Sequence, residues 1–239
     1  MRVVPIGGLG NRLRTILSWR EVYGPITVVW CRSDAVCRGW WEDVFQPLDG
    51  VTFVYGGEGH AHEYRGAHDV MSCGVCPGLE GSDWCKAYRE LRPHPWLLGP
   101  RFPPPYAAIH ARRCDHVEHA RAHGHFTSNE ELLDWYRSRG RLDMRLYLAT
   151  DCPDTLAWFR EREPDLHFNR TPERVAGYEK RPGQLTSAVA DLYACVEAEE
   201  FVGSWFSSFS ETVEILRSPP ARFSEREPMP STDGDRRVR

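Results

Sequence analysis

The sequence predicts an α/β protein of two Rossmann-like lobes, each built on a parallel sheet, with a cleft between them. Three observations carry this. Short apolar runs alternate with helical segments of about 10–15 residues, the pattern of right-handed crossovers between parallel strands. A glycine turn, Gly7-Gly8-Leu9-Gly10, sits between the first strand and the first helix. A proline-dense stretch containing Pro93, Pro95, Pro100 and Pro103-Pro104-Pro105 divides the chain. The expected boundaries are therefore 1–100 for the N-terminal lobe, 101–218 for the C-terminal lobe, and 219–239 for a polar, flexible tail.

Residues 2–6 form the first strand, stopped by Gly7-Gly8. Leu13, Ile16, Leu17 and Val22 recur at near-helical spacing until Gly24-Pro25 ends the helix. Residues 26–31 are a buried strand, 40–45 a short helix and 51–55 a third strand. Residues 56–82 hold seven glycines without periodicity and are read as a long loop. In the second half, strands are expected at 106–111, 145–149, 166–168 and 201–203. Helices are expected at 129–139, from Pro153 to about Arg162, at 187–198 and at 208–216. No internal repeat is visible.

Composition narrows the function. The 239 residues carry 41% hydrophobic and 27% charged side chains, enough for a core without disulfide support. The net charge of -4 disfavours nucleic acid as a partner. No apolar run reaches membrane-span length, and the N-terminus enters the first strand directly, so the chain is expected in the cytoplasm with its eight cysteines reduced.

Three segments have residue types suited to chemistry. In Gly7-Gly8-Leu9-Gly10-Asn11-Arg12, glycines permit close backbone approach and a helix N-terminus offers free N–H groups to an anion; a tight turn explains the glycines equally well. In His110-Ala111-Arg112-Arg113-Cys114-Asp115, two arginines at a strand end suit a phosphate, which guanidinium forks bind bidentately; the alternative is a surface pair neutralised by Asp115. In residues 201–210, Ser207 and Ser208 precede a helix, either as caps or as a phosphate cradle, with Phe209 beside them.

Together with Ala149-Thr150-Asp151 and Asp191, these segments resemble the fucosyltransferase superfamily, which includes α1,6- and α1,2-fucosyltransferases, nodulation-factor fucosyltransferases and protein O-fucosyltransferases. The resemblance runs from Gly7 to Arg217. It implies a GT-B architecture and metal-independent, inverting transfer of fucose, or a similar sugar, from a GDP-sugar to a glycan hydroxyl, with no further cofactor. It also implies roles. Arg112 is the catalytic residue, holding the β-phosphate. His110 and Asp191 lie near the guanine, and Ser207, Ser208 and adjoining amides bind the pyrophosphate. Gly8, Gly10, Asn11 and Arg12 face the donor from the acceptor-side lobe, and Arg113, Asp115 and Phe209 complete the binding residues. No catalytic base is assigned.

An alternative comes from Cys73-x-x-Cys76 with Cys85 and His60, His62 or His68, which together suit a structural zinc site in a non-catalytic interaction module. A single Cys-x-x-Cys is a weak signal. A nicotinamide-dependent reductase is disfavoured because Leu13 stands where the dinucleotide fingerprint needs a third glycine.

Overall fold

The computed structural model describes residues 1–34, 36–56, 69–79, 83–98, 105–114, 116–139, 144–172 and 184–218. The expected tail, 219–239, lies outside them. Two parallel sheets are present. The first contains β1 (Arg2–Pro5), β2 (Ile26–Cys31), β3 (Val51–Gly56) and β4 (Val70–Ser72), in the order β3-β2-β1-β4. The second contains β5 (Tyr106–Ala111), β6 (Arg145–Thr150) and β7 (Glu200–Gly203), in the order β6-β5-β7. Every strand pairing is parallel. The helices are α1 (Leu9–Tyr23), α2 (His116–Ala122), α3 (Asn129–Ser138), α4 (Pro153–Arg162), α5 (Leu185–Glu197) and α6 (Ser208–Arg217).

Local chemistry explains several boundaries. Ser128 opens α3 with a capping box: its hydroxyl accepts from the Glu131 amide, and Glu131 accepts from the Ser128 amide. Pro153 starts α4 at a position where its missing N–H costs nothing.

The structure corrects the sequence reading at five places. The segment read as a long loop contains β4, which pairs with β1 at Val3↔Val70; three residues are too few to show a period. The histidine-rich segment after Arg113 forms α2. Residues 166–168 make one bridge, His167 to Tyr147, and no strand. The helix expected at 40–45 is a single 3-10 turn, Trp41–Asp43. Within the proline-dense stretch, Pro95–Leu97 forms another such turn.

The main core ignores the division into lobes. It starts under the first sheet with Val3, Val28 and Trp30, covered by Leu13, Ile16 and Leu17 of α1. Trp41 stacks on Phe53 at 4.6 Å and meets Trp30 edge-on at 5.9 Å, each contact adding about 0.5–1.5 kcal/mol beyond simple burial. The same core continues through Leu185, Val189 and Leu192 of α5 and Phe209 and Val213 of α6 to Tyr106, Ala108 and Tyr147 on the second sheet. On that sheet's opposite face, Ile109, Ala111, Leu146 and Leu148 pack against Leu132 and Leu133 of α3 and Leu156 and Phe159 of α4. The second sheet is thus covered by helices on both faces. The far face of the first sheet carries a small cluster of Val4, Val29 and Cys31 with Ile6 and Met71, and no helix packs there among the described residues.

Candidate functional site

The site grows from the ends of β5 and β6. Their register sets Ala111 beside Thr150, and the Thr150 hydroxyl donates to the Ala111 carbonyl at 2.8 Å. The residues that follow therefore meet. Arg112 Nη1 donates to Asp151 Oδ2 at 2.7 Å, and the Arg113 amide donates to Asp151 Oδ1 at 2.8 Å. Ser204, just after β7, accepts from the Arg112 amide at 3.0 Å and donates its own amide to the His110 carbonyl at 2.9 Å. Asp151 is buried, whereas the Arg112 side chain keeps 16% of its surface. This carboxylate is a site residue that sequence reasoning left without a role. The expected partner, Asp115, lies outside the described residues.

Arg113 points the other way. Its Nε and Nη2 donate to Asn129 Oδ1 at the start of α3, and its Nη1 donates to the Arg112 carbonyl and the Ser204 hydroxyl. All three guanidinium nitrogens are used inside the protein. Burial lowers its pKa, opposed by the nearby Asp151 charge.

His110 and Asp191 share one face of the second sheet. Side chains alternate along β5, so His110 lies on the side of Tyr106 and Ala108, which carries α5 and α6. Its Nδ1 is 2.8 Å from Ser210 Oγ, and its ring lies 4.4 Å from that of Phe209. Asp191, on α5, accepts a 2.5 Å hydrogen bond from the Tyr147 hydroxyl; Tyr147 sits beside Ala108 in the sheet.

The glycine turn closes the site from the other lobe. A Cβ on Gly10 would fall 2.5 Å from the Ser208 carbonyl and 2.7 Å from the Phe209 amide, so glycine is what lets the first turns of α1 and α6 touch. Asn11 folds back over Gly7, whose φ is +85°. Arg12 is fully buried: its Nε donates to the Gly7 carbonyl at 2.9 Å, its Nη2 pairs with Asp34 at 2.7 Å, and its guanidinium lies 4.7 Å above Trp30. Its Nη1 has no partner among the described residues.

Neither touching helix has a side-chain cap. Gly8 stands at the N-cap of α1, and Ser207, at the N-cap of α6, makes no capping bond. The Ser208 carbonyl accepts from Thr212 Oγ1. Between Ser204 and Ser207 the chain turns through Phe206 at φ +60°. His119, His123 and His125 surround the Phe206 ring at 5.2–5.5 Å, a packing role invisible from their clustering in sequence.

Cys73, Cys76 and Cys85 are free thiols, and no group of three His, Cys, Asp or Glu among the described residues can hold a metal. His60, His62 and His68 lie outside those residues. A cavity of about 430 Å³ opens between Glu42, Asp43, His94, Trp96 and Thr186, and none of the candidate residues lines it. No described helix is long and apolar enough to cross a membrane.

No family model matches the chain, and no curated protein matches it in sequence. Solved structures match it in fold. The NodZ alpha-1,6-fucosyltransferase co-crystallized with GDP superposes with a TM-score of 0.56 at 15% identity, covering 90% of this chain and 92% of its own. Fucosyltransferase NodZ from Bradyrhizobium gives 0.56 at 14%, with the same coverage. POFUT1 in complex with GDP-fucose gives 0.58 at 12%, covering 92% of this chain and 95% of its own. The chain therefore has the two-lobed, parallel-sheet α/β fold of the fucosyltransferases.

Proposed function

We propose that this protein is a glycosyltransferase that moves fucose, or a similar sugar, from a GDP-sugar to a glycan hydroxyl, without a metal and with inversion at the anomeric carbon. The observation that carries the reading is the contact between two uncapped helix N-termini, one of them shortly after Ser204, which holds the Arg112 amide. Each N-terminus carries roughly half a positive charge. Bringing two together favours an anion between them; Glu211, in the first turn of α6 and paired with Arg14 of α1, answers part of that charge, and a diphosphate would answer the rest. GDP and GDP-fucose in structures of the same fold favour that anion as part of a GDP-sugar.

In the transfer, the acceptor oxygen forms a bond to the anomeric carbon as the bond from that carbon to the β-phosphate oxygen breaks. A single displacement of this kind inverts the centre. Charge grows on the departing diphosphate, and Arg112, held by Asp151, meets it together with the amides of α6. A preorganised donor of this type contributes about 3 kcal/mol, or roughly a hundredfold in rate. Arg113 and Ser204 brace Arg112, and the resemblance gives the guanine to Asp191 and His110, which here partner Tyr147 and Ser210.

Thermal unfolding with GDP, UDP or ADP, each with and without EDTA, tests the reading. GDP at a hundred times its Kd should stabilise the protein by about 2.7 kcal/mol, undiminished by EDTA. Stabilisation by UDP or ADP alone, or its loss in EDTA, overturns it.

A further inference from the structure

Two cysteines occupy the ends of the strands that build the site, and the proposed reaction uses neither. Cys114 follows Arg113; Cys152 follows Asp151 and stands at the N-cap of α4. The turns after the two strands bring them together: Cys114 Sγ lies 3.3 Å from the carbonyl of Asp151, the residue before Cys152, and the two thiols are hydrogen-bonded. Cys114 is exposed, so an oxidant can reach the pair. Its backbone has φ +51°, a conformation that costs a non-glycine residue energy, and its thiol also donates to the Asp151 carbonyl.

We propose that Cys114 and Cys152 form a redox-active dithiol that closes to a disulfide under peroxide and, in closing, locks Arg112 in its ion pair with Asp151. The chemistry has a defined direction. Cys152 is the more acidic thiol: the hydrogen bond from Cys114 lowers its pKa, the Thr155 amide and hydroxyl lower it further, and burial and the Asp151 charge oppose them. A thiolate at a helix N-terminus is a reactive nucleophile. Cys152 sulfur attacks one peroxide oxygen, the O–O bond breaks, hydroxide leaves, and Cys152 becomes a sulfenic acid. Cys114 sulfur then attacks Cys152 sulfur; the S–S bond forms, the S–O bond breaks, and the Cys114 proton departs in the released water. Each sulfur is oxidised by one electron and peroxide is reduced to water and hydroxide.

The consequence follows from neighbours in sequence. Arg112 lies two residues before Cys114, and Asp151 lies next to Cys152. Joining the sulfurs ties the two turns together, so that Arg112, still held by Asp151, cannot shift to close on a diphosphate. This second half of the proposal rests on the GDP-sugar reading; the dithiol itself does not.

The full chain should be treated with hydrogen peroxide, digested and analysed by mass spectrometry, with GDP affinity measured by calorimetry before and after. A Cys114–Cys152 cross-linked peptide, reversed by dithiothreitol and absent in both Cys152→Ser and Cys152→Ala, is the expected result. GDP affinity should fall about tenfold on oxidation and recover on reduction. If peroxide oxidises Cys73 but leaves Cys114 and Cys152 unlinked, the dithiol is overturned. If the cross-link forms and GDP binds with unchanged affinity, the lock is overturned. Reduced protein that fails to bind GDP at all overturns the donor reading and with it the lock, while the peptide map still decides the dithiol.

Discussion

Arg12 and Arg112 make the same bond, 2.7 Å to an aspartate, one beside each sheet, yet the two pairs are turned inside out. At the first sheet the arginine side chain is fully buried and Asp34 keeps 13% of its surface; at the second, Asp151 keeps 2% and Arg112 keeps 16%. A buried guanidinium spends itself on the protein: Arg12 clamps the Gly7 carbonyl, Asp34 and the face of Trp30. A buried carboxylate beneath a partly exposed guanidinium does the reverse and turns the cation toward solvent. Residue type and distance are identical, so the role is decided by which partner faces water.

Substitutions can break this contrast. Arg12→Ala should have the largest effect, a stability loss of roughly 3–5 kcal/mol in urea unfolding, because it removes one partner of a buried pair along with its aromatic contact. A loss below about 1 kcal/mol would make the two pairs equivalent. Arg112→Ala should instead weaken GDP binding about a hundredfold by calorimetry, the worth of about 3 kcal/mol for a bidentate charged contact. Its stability cost should be smaller than that of Arg12→Ala, since Asp151 retains the Arg113 amide.

Finer tests sharpen the contrast within the second lobe. Asp191→Asn should keep the bond from the Tyr147 hydroxyl, because the amide oxygen still accepts, while discrimination of GDP over ADP falls about tenfold in competition titrations. Equal loss for both nucleotides would reduce Asp191 to a partner of Tyr147. The smallest effect concerns two serines at helix starts. Ser128→Ala should cost about 1 kcal/mol of stability through its capping box, whereas Ser207→Ala should cost only a few tenths, having no cap to lose. A GDP affinity lowered only in the Ser207 variant would separate ligand contact from capping.

The glycine turn shows where reading the sequence stops. Gly7-Gly8-Leu9-Gly10 is equally compatible with a ligand cradle and a tight turn. In the fold, Gly7 has the positive φ of a turn, while Gly10 is needed for contact with α6, almost two hundred residues on. The arginine pair is similar. Both residues are legible as anion binders at a strand end, but only the packing of α3 turns Arg113 toward Asn129. β4 and α2 escaped notice for a different reason: a three-residue strand and a seven-residue helix are too short for periodicity to register.

What the sequence by itself determined is the alternation of strands and helices, the parallel sheets that follow from it, and the supply of arginine, serine and glycine at strand ends. These depend on local spacing, which hydrophobic burial reads directly. Only the tertiary structure decided that Asp151 grips Arg112, that one core serves both lobes, and that the starts of α1 and α6 meet. The physical reason is that charge and hydrogen bonding take their energy from burial and from partners dozens to almost two hundred residues away. Sheet register and helix packing set those, and no local pattern encodes them.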